Sequence, residues 1–127
     1  MNDDPACDTT QVIQPAALPP GINVKALPAG TALLLEGETD IYELIVRYPE
    51  HGIAEITSSN PALRQPTMGQ FMYSIRWGNP GVRLNVIQQG WAMVLRFRNG
   101  ECQTQPIASA RVRGTRSDGT HWHYDVF

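Results

Sequence analysis

Residues 31–58 read TALLLEG (31–37), ETD (38–40), IYELIVRY (41–48), PEHG (49–52) and IAEITS (53–58), three short apolar runs parted by two compact polar breaks. Runs of this length, rich in β-branched and aromatic residues and bounded by turn formers, spell an antiparallel β-meander. In the middle run Tyr42, Leu44, Val46 and Tyr48 fall on one face and Glu43 and Arg47 on the other. That is the alternation of a strand with one buried side.

The same pattern continues outward. Phe71, Tyr73, Ile75 and Trp77 alternate with Met72, Ser74 and Arg76, GNPG at 78–81 supplies a turn, and Val82, Leu84 and Val86 alternate with Arg83 and Asn85. Trp91, Met93, Leu95 and Phe97 oppose Ala92, Val94, Arg96 and Arg98. Asn99 and Gly100 then provide the positive φ angles of a two-residue hairpin turn. The return run CQTQPIASARVRG (102–114) contains Pro106, which cannot donate to a central ladder and marks an edge, a bulge or a strand start. HWHYDVF (121–127) reads as a closing strand, and Ile22 and Val24 suit a short edge strand near the front. No stretch holds a 3.6-residue apolar period. The expectation is an all-β domain over residues 21–127, a small antiparallel barrel or two-sheet sandwich of about eight short strands built from consecutive hairpins. Residues 1–20, acidic and rich in proline, read as a flexible tail.

A chain of 127 residues is long enough to bury a core without metal or disulfide staples. Its start, MNDDPACDTT, is acidic where a leader peptide is basic and then apolar, and no apolar run approaches the length of a membrane span. Cys7 and Cys102 lie far apart with neither framework nor zinc spacing. These features favour a soluble, cytoplasmic protein with reduced thiols and no membrane partner. The net charge of −2 conceals an asymmetry: residues 1–63 hold nine acids against Lys25 and Arg47, whereas residues 64–127 hold eight arginines against Glu101, Asp118 and Asp125. Two halves of opposite sign either neutralise each other across one sheet or present a basic face to a polyanion.

Two groups of residues could carry chemistry. His121, His123 and Asp125 share one face of the last strand, spaced by about 7 Å per two-residue step, and two imidazoles with a carboxylate can form an open metal site. The same residues also supply the polar face that an amphipathic last strand needs. Arg76, Arg83, Arg96, Arg98, Arg111 and Arg113 all fall opposite the apolar residues of their runs. If their strands are neighbours they form a phosphate-binding patch of the kind small barrels use on single-stranded nucleic acid. Against that stand the scarcity of lysine and the placement of Phe71, Tyr73, Trp91 and Phe97 on core-like faces. No nucleophile elbow, phosphate-binding glycine loop or dinucleotide fingerprint is present.

The residues therefore favour a non-catalytic module, without cofactor, that binds a protein partner or its own second copy. A nucleic-acid-binding barrel and a metal-dependent enzyme are the alternative readings.

Overall fold

A computed structural model describes residues 20–127, so the tail expected over residues 1–20 lies outside the described residues except for Pro20. The strands are β1 (Gly21–Asn23), β2 (Ala32–Glu36), β3 (Ile41–Tyr48), β4 (Ile53–Ser58), β5 (Thr67–Arg76), β6 (Gly81–Leu84), β7 (Val86–Gln88), β8 (Ala92–Phe97), β9 (Gly100–Pro106), β10 (Ser109–Thr115) and β11 (His121–Asp125). The larger sheet runs β9-β8-β5-β4-β3-β2-β10-β11 with every pairing antiparallel, and β6 pairs with β5 off this path. β1 and β7 form a separate pair. The fold is all-β, as the periodicity predicts. The sheet has two ends, β9 and β11, and does not close into a barrel; of the two expected architectures, the sandwich fits.

Two expected strands are each divided. The run 82–86 breaks at Asn85, whose φ of 65° is left-handed, a conformation asparagine tolerates better than most residues. Its carbonyl accepts the Val24 N–H at 2.9 Å. The run 102–114 breaks after Pro106, and its halves lie in different parts of the sheet, β9 beside β8 and β10 beside β2. The register of β9 shifts between Gln103 and Pro106, so the proline occupies a bulge on an edge strand. At the β8–β9 turn, Gly100 pairs with Phe97 and has φ 141°. Arg98 and Asn99 therefore span the loop, one residue earlier than the Asn99–Gly100 turn expected.

One core cluster gathers Leu33 and Leu35 of β2, Leu44 and Val46 of β3, Ile56 of β4, Phe71 of β5, Met93 and Leu95 of β8, and Val112 of β10. The alternation in β3 holds through Val46 and then fails: a register shift before Tyr48 leaves that residue 56% exposed. A second shift, between Phe71 and Tyr73, has larger consequences. Because side chains alternate with a period of two, one inserted residue exchanges the faces of everything after it. Ser74 and not Tyr73 becomes fully buried, while Val82 and Leu84 on the paired strand β6 turn outward at 57% and 67% exposure. Ser74 is accommodated by two hydrogen bonds, donating to the Val86 carbonyl at 2.7 Å and accepting the Gln88 N–H at 3.1 Å.

Ile107 and Ala108 alone connect β9 at one end of the path to β10 near the other. So short a link demands that the sheet fold over until the two regions meet. Ile107 is fully buried, and the Ala108 N–H donates to the Glu36 carbonyl at 2.7 Å. Gln105 secures the junction. Its Oε1 accepts the N–H groups of Thr39 and Asp40 at 2.9 and 3.0 Å, and its Nε2 donates to Thr39 Oγ1 at 2.6 Å. Its own N–H donates to the Tyr42 hydroxyl at 3.1 Å. Gly37 makes room, since a Cβ there would lie 2.9 Å from the Gln105 Cβ. Gln105→Ala is expected to lower unfolding free energy by about 1–2 kcal/mol in urea titrations, and Gly37→Ala to destabilise by steric displacement of the same side chain.

Candidate functional site

The six arginines singled out by alternation do not form one patch. Arg76 is half-buried, with its guanidinium 4.6 Å from the centre of the Trp91 ring and its Nε donating to the Asn79 carbonyl. Arg83 is also half-buried and donates to the side chain of Gln88, which is fully buried. These two, expected to face solvent, were displaced to the covered side by the shift after Phe71. Arg96 pairs with Glu101 at 3.3 Å, and Arg98 is exposed in the β8–β9 turn. Arg111 and Arg113 stand apart on β10.

Those last two meet the other sequence-predicted group. In the β10–β11 register Arg111 opposes Asp125, Arg113 opposes His123 and Thr115 opposes His121. The two imidazoles, the carboxylate and both guanidinium groups thus share one face of the C-terminal hairpin. Arg111 Nε donates to Asp125 at 2.9 Å, Arg113 reaches Glu43 of β3 at 2.6 Å, and Thr115 Oγ1 lies 3.1 Å from Nδ1 of His121. Among the described residues no three His, Cys, Asp or Glu side chains converge to hold a metal ion. Arg113–Glu43 also answers part of the charge question: it joins the arginine-bearing half to the acidic half, whereas Arg47–Glu55 at 2.7 Å, Arg96–Glu101 and Arg111–Asp125 pair within a half.

On this face lies a groove of about 580 Å³ floored by Ala32 and Leu34 and bounded by Arg111, Arg113, His121 and His123. Trp122 alternates with the two histidines and so turns to the other face of the hairpin, against the core. Its ring lies over Gly114, where an added Cβ would come within 2.5 Å of the indole, and it stacks on Tyr124 with centroids 5.7 Å apart.

A second surface was not anticipated from the sequence. Cross-strand registers place Leu84, Tyr73 and Val94 in one row and Val82, Ile75 and Ala92 in the next; Val82 and Leu84 on β6 are exposed and Tyr73 and Ile75 on β5 half-buried, while Val94 and Ala92 on β8 are covered. Trp77, just beyond β5, is 66% exposed. The signal in the sequence was the apolar alternation itself; what it could not reveal was the bulge that turns this alternation outward.

Compared with known protein families, curated proteins and solved structures, the chain has no match. No helix among the described residues is long and apolar enough to cross a membrane.

Burial pushes the Tyr42 phenol and the Cys102 thiol above their ordinary ranges; for Tyr42 the Gln105 hydrogen bond opposes the rise and nearby Asp40 adds to it. The folded state thus holds these protons more tightly than the unfolded chain does. Their contribution is complete below the unfolded values, about 10 for tyrosine and about 8.5 for cysteine, and is lost as pH rises through the folded ones. Chemical denaturation across this alkaline range is expected to show falling stability, with a shallower slope in Tyr42→Phe.

Proposed function

We propose that this chain is a non-catalytic binding module that engages a protein, either a different chain or a second copy of itself, through the outer face of β5 and β6. The observation that carries the reading is the contiguous apolar surface of Trp77, Val82 and Leu84, each more than half exposed, backed by Tyr73 and Ile75. Scattered exposed apolar residues are ordinary, but several side by side on one sheet face mark an interaction site. Position adds a second argument. β6 is a four-residue strand that pairs with β5 alone in the larger sheet, so its outer edge offers backbone groups to a partner strand. A cytoplasmic, reducing setting belongs to this reading and suits the free thiol of Cys102.

Light scattering over a concentration series, paired with affinity capture from source lysate, tests the reading. The native chain is expected to self-associate or retain a specific protein, and Trp77→Ala or Leu84→Lys is expected to weaken that association by about 2 kcal/mol, roughly thirtyfold, without changing the unfolding midpoint. A chain that stays monomeric and captures nothing, or whose association ignores both substitutions, overturns it.

A further inference from the structure

We propose that the groove beside the C-terminal hairpin is a binding site for a small organic oxyanion, a phosphate or carboxylate carried on a flat apolar body. The site lies on different strands from the apolar face of β5 and β6 and does not depend on it.

The sign of the groove comes first. Its lining includes two guanidinium groups, two imidazoles and the Thr115 hydroxyl, and no carboxylate. The acids that pair with the arginines, Asp125 and Glu43, are absent from that lining. Both stand on the same sheet face at its rim, Glu43 opposite Leu34 and Asp125 opposite Arg111, where each orients one guanidinium and offsets its charge.

The arginines are also incompletely used. Arg111 engages Asp125 through Nε, and Arg113 engages Glu43 through one terminal nitrogen. Among the described residues, both terminal nitrogens of Arg111 and the Nε and other terminal nitrogen of Arg113 have no further partner. Both side chains are more than half exposed, so a ligand meets them without opening the fold. A guanidinium held by one carboxylate and presenting its remaining N–H groups outward is arranged for forked hydrogen bonds to an oxyanion. The two arginines, two positions apart on β10, stand about 7 Å from each other along the strand, which lets them grip one anionic head from two sides.

The floor defines the rest of the ligand. Leu34 lies opposite Arg111 and Ala32 opposite Arg113 on the neighbouring strand, so the bed beside the cations is apolar. A volume of about 580 Å³ is that of a small-molecule site, and the combination of an apolar bed with a few convergent polar groups is how such sites discriminate. Inorganic phosphate alone leaves the floor uncovered; a ring attached to the oxyanion covers it.

The test is a titration followed by amide NMR at low salt, with phenyl phosphate, benzoate and inorganic phosphate as probes. The expected result is saturable shifts at Arg111, Arg113, His121 and His123 with at least one of the two ring-bearing probes, and weaker binding of inorganic phosphate. The tighter of the two ring-bearing probes identifies the phosphate or carboxylate source. Arg111→Ala and Arg113→Ala are each expected to weaken binding about tenfold, while Arg98→Ala, in the distant β8–β9 turn, leaves it unchanged. Shifts that never saturate, that appear equally around Arg96 and Arg98, or that survive both β10 substitutions overturn the proposal.

Discussion

The two-residue link between β9 and β10 constrains everything else in the molecule. A sheet whose path places these strands six positions apart cannot remain flat when only Ile107 and Ala108 join them. It must coil until β9, at one end, comes to β10, next to the other. Coiling brings the apolar sides of β2, β3, β4 and β10 against those of β5 and β8, and the core cluster follows from that geometry. The hydrogen bonds of Gln105 to the β2–β3 turn hold the junction, and they replace the strand pairing that would have closed a barrel. The meander at 31–58 is where this coil begins, and its buried face supplies more of the core than any other part of the chain.

Most of the fold class was legible because it rests on local alternation. Leu33, Leu35, Tyr42, Leu44, Val46, Met93 and Leu95 are buried where their period places them. What was not legible depends on events that break the period. The shift after Phe71 exchanges the faces of β5 and its partner β6, so that Ser74 and Arg83 turn inward and Val82 and Leu84 turn outward. No residue type announces such a bulge: Met72 is neither a glycine nor a proline. The partition of 102–114 between distant strands is likewise a matter of topology, decided by which edge is free to receive β10. Pro106 marked the place without revealing the destination.

The candidate sites show the same division. Sequence spacing put His121, His123 and Asp125 on one face and Arg111 and Arg113 on another strand; only pairing set them opposite each other. Ion pairing then changed their chemistry, because Asp125 is occupied by Arg111 and the imidazoles border a groove whose lining has no carboxylate. The apolar outer face of β5 and β6 was missed for the opposite reason. Its residues were recognised as apolar and assigned to the interior, where identical alternation without the bulge would have taken them.

The hairpin of β5 and β6 has its polarity inverted relative to an ordinary core strand: Arg76, Arg83 and Ser74 on the covered side, aliphatic and aromatic residues on the open side. Beyond the ladders that join β5 to β4 and β8, its covered side is held by a guanidinium over Trp91 and by hydrogen bonds to Gln88 and Val86, while Val82 and Leu84 remain largely uncovered. Folding and the proposed recognition would then rest on different side chains of the same short hairpin. Substitution at the outer positions would change the proposed contact surface while the inner positions keep the chain folded. On the proposed reading, a change of partner at this face need not cost the chain its fold.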